Sequence, residues 1–315
     1  MQFGFDVPTQ GPLANPENTV RMAKRGEELG YGYLYFSDHI VYPRTVDSPY
    51  PYSPGKKLPG AENYLEQLTL ISHLAAHTSQ VKLLTSVMVV PYRPAVFTAK
   101  ILSTIDILSK GRLVLGAGAG WMKEEFQAVG AEDFHKRGKV TNEYLRAFKE
   151  LWTSPDPSFD GDYVQFSDLA FEPKPVQKPH PPIWIGGESP AAVRRAATLG
   201  DGWYPISYSQ SFPIVTPTEM KSRLAELDAE ARKAGRDASR LTITYHAGVY
   251  DAKLGEVKEN GRRKQFTGSP QQVLGDLKSY QDIGVDNIFF IYAGADADQI
   301  CDTAEHFMDK VGSKI

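Results

Sequence analysis

The sequence predicts an α/β protein, a parallel (β/α)8 TIM barrel with loop insertions that occupies residues 1–315 as a single domain. Three observations carry this prediction. Short apolar runs alternate with helical patterns along the whole chain, and 315 residues suit one large barrel. The buried-strand pattern Leu113-Val114-Leu115 opens into the glycine-rich run 116–120, as a parallel strand does at a ligand-binding mouth. An open doubly wound sheet is the alternative, but no dinucleotide fingerprint follows the first strand.

The first half of the chain shows four strand–helix units. Asn15 and Pro16 are typical of a helix N-cap and first helical position, and Gly30 suits the end of that helix. Residues 41–61 form a proline- and tyrosine-rich loop, long enough to be a lid or binding loop. The predicted strands are 2–7, 33–36, 81–90 and 112–115, and the predicted helices are 16–29, 64–77, 95–108, 122–129 and 134–152.

The second half continues the same alternation after an interruption. Residues 153–182 are rich in proline and lack helical periodicity, and we interpret them as an excursion from the barrel instead of a domain linker. Residues 207–216 are predicted as a loop, and the polar stretch 251–267 as mobile. The predicted strands are 183–185, 201–204, 241–247 and 287–292, and the predicted helices are 191–199, 217–233, 271–283 and 297–311.

Composition excludes several classes of protein. A formal net charge of −3 gives no basic field for nucleic acid, and the lone Cys301 allows no intramolecular disulfide. No apolar run is long enough to cross a membrane, and the N-terminus lacks signal-peptide order, so a cytoplasmic protein is expected. No metal site is expected, because the seven histidines show no HExxH motif and the i, i+4 pair His73 and His77 lies on an outer helix.

Two short motifs at predicted strand ends could carry chemistry. Asp38 and His39 are either an acid/base pair or a hydrogen-bonded loop cap. Gly186-Gly187-Glu188-Ser189-Pro190 places two glycines before a Ser-Pro helix start, which favours a phosphate cradle over a plain capped turn. Glu124 and Glu125 open a helix, where the helix dipole alone explains carboxylates better than catalysis does.

Taken in order, these motifs resemble the bacterial luciferase-like superfamily, and within it the oxidoreductases that use the deazaflavin coenzyme F420. The resemblance extends from about residue 3 to 292. Its motifs are Ser37-Asp38-His39, Thr85-Ser86-Val87, Leu115 to Gly120, Pro182 to Gly187 and Leu199-Gly200-Asp201-Gly202-Trp203.

The resemblance implies a luciferase-like barrel, usually dimeric, that holds F420, or alternatively FMN, in its mouth and acts on a small molecule. It implies His39 as the proton-handling residue and a bulge with a cis peptide bond at Ser86-Val87 behind the cofactor ring. The remaining assignments cover the cofactor and the substrate pocket. The cofactor-binding residues are Asp38, Ser86, Val87, Gly118, Glu124, Gly186, Gly187 and Ser189, and the substrate pocket contains Trp121, Tyr42 and Trp203.

One departure from the family pattern bears on the substrate. The glucose-6-phosphate dehydrogenases of this family carry an acid/base glutamate where this chain has Trp121, which disfavours that substrate and leaves Glu124 or Glu125 as secondary proton-handling candidates. The leading hypothesis is hydride transfer with F420. The alternatives are an FMN-dependent monooxygenase, a non-catalytic flavin-binding protein and, by fold analogy alone, a metal-dependent isomerase or aldolase.

Overall fold

A computed structural model of the chain describes residues 1–52, 63–259 and 261–315. Eight parallel strands form a closed barrel, in the order β3-β2-β1-β8-β7-β6-β5-β4, and the pairing of β3 with β4 closes it. The barrel strands are β1 Gln2–Asp6, β2 Tyr33–Phe36, β3 Lys82–Thr85, β4 Leu113–Gly118, β5 Ile183–Gly186, β6 Gly202–Tyr204, β7 Thr242–Tyr250 and β8 Asn287–Tyr292. The predicted (β/α)8 barrel is therefore confirmed.

Helices follow the strands and cover the outside of the barrel. They are α1 Pro16–Glu28, α2 Gln67–Ala75, α3 Ala95–Leu108, α4 Lys123–Ala128, α5 Arg137–Thr153, α6 Pro190–Leu199, α7 Pro217–Lys233, α8 Pro270–Gln281 and α9 Ala297–Lys310. The predicted caps form, because the side chains of Asn15, Ser189 and Ser269 each accept a hydrogen bond from a backbone N–H in the first helical turn.

Two apolar layers hold the barrel together. The inner layer fills the barrel with the side chains of seven buried residues, among which Tyr35 and Phe289 stack with ring centroids 5.3 Å apart. The outer layer packs the strands against the helices and contains Phe5, Phe290 and Trp203. A filled barrel leaves space for a ligand only beyond its strand ends, so the loops at the carboxyl ends form the site.

Several predicted boundaries differ from the structure. The strand predicted over 81–90 is split at Ser86 and Val87, and the second segment, Met88–Val89, pairs with β4. The Ser86-Val87 peptide bond is cis, as the resemblance implied. Strand β7 extends past the predicted end at 247, through a register shift between His246 and Gly248.

The insertions contain short hairpins that the sequence did not predict. Within the 153–182 excursion, Phe159–Asp160 pairs with Gln165–Phe166, and the Glu143 carboxylate accepts hydrogen bonds from the backbone N–H groups of residues 162–164. Lys258–Glu259 pairs with Arg262–Arg263 inside the stretch predicted as mobile. Part of the loop predicted over 41–61, residues 53–61, lies outside the described residues.

Candidate functional site

A cavity of about 440 Å³ opens at the carboxyl ends of the strands. Its volume lies in the usual range for small-molecule and cofactor sites. Residues from all eight strand ends or the loops that follow them line it, and they include Asp6, Ser37, His39, Val87, Gly118, Gly187, Tyr204, His246 and Ile291. Parallel strands in a barrel bring these positions, distant in sequence, to one mouth.

His39 forms a buried pair with Glu125 at one side of this cavity. His39 Nδ1 lies 2.5 Å from Glu125 Oε2, and the glutamate is fully buried. The same carboxylate accepts hydrogen bonds from Ile40 N at 2.7 Å and from the Tyr92 hydroxyl at 2.8 Å. This contact fixes the orientation of the imidazole and favours the tautomer that carries its proton on Nδ1. Nε2 of His39 has no hydrogen-bond partner among the described residues, so it is free to exchange a proton with a ligand.

Asp38 lines the same cavity, but its carboxylate is hydrogen-bonded to other groups of the protein. Its two oxygens accept hydrogen bonds from Arg93 at 2.8 and 2.9 Å and from Val89 N at 2.8 Å. Both side chains are buried, and the bidentate pairing holds the segment after β3 against the end of β2. Asp38 therefore positions its neighbours, and the structure leaves it little hydrogen-bonding capacity for a ligand.

The segment after β5 that is predicted to be a phosphate cradle combines a left-handed glycine with a capped helix start. Gly187 adopts a φ of 106°, a left-handed conformation that favours glycine, and the Ser189 hydroxyl accepts a hydrogen bond from Ala192 N at the start of α6. Gly186 and Gly118 flank the Val87 side chain, since a Cβ on either glycine would lie within 2.8 Å of a Val87 methyl carbon. This wall exposes backbone and helix N-terminus to the cavity, which suits an anion.

Two arginines that the sequence analysis did not single out face the same wall. Arg195 is buried and donates to Asn142 Oδ1 at 2.5 Å and to Gly138 O, whereas Arg137 donates to Gly120 O and Phe134 O. Neither guanidinium has a carboxylate partner in the described part of the chain. Burial, together with the nearby Arg137 charge, lowers the pKa of Arg195 to about 10, and burial also lowers the pKa of Arg137. Two cationic side chains near a helix N-terminus are an arrangement that favours the binding of an anion.

Aromatic rings form an arc around the rest of the cavity. Trp121 lies 5.2 Å from Tyr50, which lies 5.6 Å from Tyr52, and Tyr52 lies 5.8 Å from Tyr208 between ring centroids. The Tyr208 ring then lies 5.9 Å from His246. Residues of the loop before position 53 thus shape the cavity together with Trp121, as predicted for that loop.

Three titratable groups in this region are shifted towards their neutral forms. Burial raises the pKa of Asp6 to about 7, and it raises the pKa of Glu188 to about 7 although Ile206 N donates to its carboxylate. Burial lowers the pKa of His246 to about 4, so this imidazole is neutral at pH 7. Carboxyls whose pKa lies near neutrality inside a cavity are candidates for function.

Three predicted site residues lie elsewhere. Trp203 is fully buried in the outer apolar layer, where its indole N–H donates to Gly187 O at 2.9 Å, so its assignment to the substrate pocket is corrected. Glu124 does not line the cavity either; its carboxylate accepts hydrogen bonds from the backbone N–H groups of Asp47 and Ser48. The Tyr42 ring packs 5.8 Å from His39, outside the cavity lining.

Seven other residues that the sequence predicts for the site lie together at the cavity. Ser86, Val87, Gly118, Trp121, Gly186, Gly187 and Ser189 all line the cavity. No described group of three or more His, Cys, Asp or Glu side chains is arranged to hold a metal ion. Likewise, none of the helices in the described ranges is both long and apolar enough to cross a membrane.

Fold and site together define a luciferase-like enzyme class, and the chain belongs to the luciferase-like monooxygenase family, whose model matches residues 1–253. It is 39% identical over 147 residues to an FMNH2-dependent dimethylsulfone monooxygenase of Pseudomonas putida, a match that covers 46% of this chain and 40% of that protein. It is 28% identical over 284 residues, 89% of this chain and 96% of the relative, to an uncharacterized protein of Mycobacterium tuberculosis strain H37Rv.

Solved structures of low sequence identity share the fold. An F420-dependent secondary alcohol dehydrogenase in complex with an F420–acetone adduct superposes with a TM-score of 0.77 at 15% identity, over 99% of this chain and 98% of that one. A monooxygenase from Streptomyces bottropensis gives 0.76 at 20% identity, over 100% and 99%. The chain therefore belongs to the luciferase-like monooxygenase family, in which a similar protein is FMNH2-dependent, and it shares its fold with enzymes that use F420.

Proposed function

We propose that this protein is an F420-dependent oxidoreductase that transfers a hydride between the deazaflavin and a small organic substrate. The observation that carries the proposal is one cavity with two chemically distinct walls. The first wall, called the Gly187 wall, contains Gly186, Gly187 and Ser189 and, together with Arg137 and Arg195, supports binding of a cofactor phosphate. On the other wall, His39 with Glu125 supports proton transfer to or from the substrate. Fold-sharing enzymes that use F420 make the same cofactor plausible here.

The residues of the cavity fit a phosphate-bearing ring system. Gly186, Gly187 and Ser189 would hold the phosphate together with the two arginines, and the Val87 side chain between Gly118 and Gly186 would support the ring. The cofactor, when bound, supplies or accepts the hydride. His39 Nε2 supplies or removes the accompanying proton, while Glu125 keeps the imidazole oriented. Trp121 and the aromatic arc exclude water from the substrate side.

FMN-dependent monooxygenation is the second candidate, and a specific observation favours it. Two guanidiniums without carboxylate partners match the double negative charge of a phosphate monoester such as FMN better than the single charge of a phosphodiester such as F420. The FMNH2-dependent relative in Pseudomonas putida points the same way. Competition between the two cofactors for one site decides between the candidates.

Equilibrium binding of each cofactor, followed by absorbance and fluorescence, tests the proposal. We expect F420 to bind more tightly than FMN, and Arg195→Gln to weaken both by about tenfold or more while leaving the phosphate-free chromophores, riboflavin and its deazaflavin counterpart, unaffected. Arg194→Gln, an exposed neighbour on the same helix, is the matched control. Tighter FMN binding with oxygen-dependent turnover would establish the second candidate instead.

Substitution of the proton-handling residue separates an enzyme from a flavin-binding protein. We expect His39→Gln to retain cofactor affinity within several-fold and to lose turnover by roughly 10²-fold or more. Unchanged turnover would remove His39 from the mechanism, and lost cofactor affinity alone would make it a positioning residue. A homodimer in the cytoplasm, with one domain per chain, completes the proposal, and light scattering of the purified protein tests its oligomeric state.

A further inference from the structure

Asp6 lies at the carboxyl end of β1 and lines the cavity. The described residues provide neither a salt bridge nor a hydrogen bond to its carboxyl group. Tyr35 lies beside it in register on β2, but the Tyr35 hydroxyl donates to Phe290 O at 2.8 Å. The Tyr204 hydroxyl is hydrogen-bonded to Ser86 Oγ at 3.0 Å. His246, which also lines the cavity, is neutral at pH 7. A carboxyl group that lines a cavity without a protein partner is available to a ligand donor.

The aromatic arc beside Asp6 is built from uncharged rings. Burial raises the pKa of Tyr52 and Tyr208 far above neutrality, and burial likewise raises the pKa of Tyr50. The ring faces of tyrosine and tryptophan carry partial negative charge and attract cations. Planar apolar groups also pack well on such faces, so the arc suits a flat ligand that carries positive charge.

The lining of the cavity carries both cationic and acidic groups. Arg137 and Arg195 are the arginines among the described lining residues, and no lysine is among those residues. The two guanidiniums lie close enough together for the charge of Arg137 to lower the pKa of Arg195 in α6, and the proposed cofactor phosphate would neutralise them. The carboxyl group of Asp6 helps to raise the pKa of Tyr208, and that of Glu188, which directly follows Gly187, helps to raise the pKa of Tyr52, so both lie close to tyrosines of the aromatic arc. Among the described lining residues, none offers a free guanidinium or ammonium to a substrate carboxylate, sulfonate or phosphate on this side of the cavity.

We propose that the substrate is a flat, largely apolar molecule with a basic nitrogen, a cyclic amine or imine, whose N–H pairs with Asp6 while its rings pack on the arc from Trp121 to Tyr208. This inference rests on the proposed function, because a bound cofactor phosphate is what removes the arginines from the substrate side. The reaction that fits such a substrate is the interconversion of an imine and the corresponding amine, by reduction of the first or oxidation of the second.

The redox step balances for such a substrate. In reduction, the imine carbon receives the hydride, the π electrons of the C=N bond become a lone pair on nitrogen, and the nitrogen takes up one proton. The hydride and one proton are what a reduced deazaflavin loses on reoxidation. Oxidation of the amine reverses each transfer.

Binding of a matched ligand series to the cofactor-loaded protein tests the inference. The probes are tetrahydroisoquinoline, an ammonium ion at pH 8; isochroman, its neutral oxygen isostere; and tetrahydronaphthalene-2-carboxylate, an anion of similar size. We expect the amine to bind at least about tenfold more tightly than isochroman, and the carboxylate more weakly than either. Calorimetry and quenching of tryptophan fluorescence give these affinities without turnover.

Substitution of Asp6 identifies the group responsible. We expect Asp6→Asn to bring the amine to the affinity of isochroman while the cofactor dissociation constant stays unchanged, and Asp237→Asn, at an exposed aspartate ahead of β7, to change neither. In the wild type, amine affinity should rise between pH 6 and 8 as Asp6 ionises, while Tyr35, Tyr204, Tyr208 and His246 keep their protonation over that range. Glu188 ionises over the same range, so the Asp6 contribution is the part of this rise that Asp6→Asn removes.

The outcomes separate this inference from the proposed function. Equal binding of amine and isochroman at all pH values, with normal cofactor binding, overturns the substrate class alone. If Asp6→Asn weakens cofactor binding and leaves amine binding unchanged, Asp6 belongs to the cofactor site, and the proposed substrate class is overturned as well. Absent cofactor binding refutes the proposed function, whatever the amine does.

Discussion

Replacement of Asp6 by asparagine should stabilise the folded protein at pH 8. Burial raises the pKa of Asp6 from 3.8 to about 7, so the unfolded chain ionises at lower pH than the folded protein does. Ionisation therefore favours unfolding, with a penalty that is absent below about pH 3.8, grows between pH 3.8 and 7 and is complete above pH 7. The change in the pKa of Asp6 from 3.8 to about 7 corresponds to roughly 4 kcal/mol, an upper bound because cavity water screens the charge.

The asparagine side chain keeps the size of aspartate and removes this penalty. With an unfolding entropy of about 2 cal/mol/K per residue, 4 kcal/mol raises the melting temperature of a chain of 315 residues by about 6 °C. Urea unfolding of both proteins at pH 4.5 and 8 measures the difference, which should fall to about 1 kcal/mol at pH 4.5. The pKa of His246 is lowered to about 4, so its protonation destabilises both proteins as pH falls below 6.5. This contribution is the same in the wild type and the variant, so it drops out of the difference between their free energies of unfolding. A gain of equal size at both pH values, or none, would refute the reasoning.

Three further substitutions test other parts of the site. Gly187→Val places a β-branched residue at a φ of 106°, with its Cβ 3.2 Å from Ala192 Cβ. This substitution should weaken cofactor binding more than about tenfold in a fluorescence titration, and unchanged affinity would refute the cradle. Glu124→Gln removes the charge that holds Asp47 N and Ser48 N, and should raise KM about threefold to tenfold at constant kcat; a fall in kcat alone would instead place Glu124 in the chemistry. Trp203→Phe removes the hydrogen bond to Gly187 O and reduces the volume that fills the core. It should destabilise the fold by about 1–3 kcal/mol in urea unfolding and leave KM unchanged. An altered KM would show that Trp203 contributes to the substrate pocket.

The barrel was predictable because its signals are local. Helix N-caps such as Asn15-Pro16 and Ser269-Pro270 act within one helical turn, and buried strands are continuous apolar runs, so each element can be recognised by itself. The split of the strand predicted over 81–90 was not local. Residues 83–90 form an unbroken β-prone pattern, and the resemblance to a known family, not strand propensity, pointed to Ser86-Val87.

The site was predictable at strand ends and less so elsewhere. His39, Gly118 and Gly187 end or follow strands, and the barrel topology alone places them around one cavity. Arg195 lies in the second turn of α6, and Arg137 begins α5, positions at which arginine is ordinary on a solvent-facing surface. Only packing shows that Arg195 is buried beside the proposed phosphate cradle, whereas its neighbour Arg194 is exposed. An arginine one and a half turns after Ser189-Pro190 is the sequence signal for such a residue.

Glu124 and Glu125 show why adjacent residues of the same type had to be separated by structure. Consecutive residues on a helix point about 100° apart, so two neighbouring carboxylates at the start of α4 face different surroundings. Glu124 reaches the loop before position 53 and fixes the segment that carries Tyr50, whereas Glu125 is fully buried against His39 and Tyr92. The helix dipole explains both acids in the sequence without distinguishing them. In the structure, one glutamate orients the proposed proton carrier and the other holds the wall that the substrate would contact.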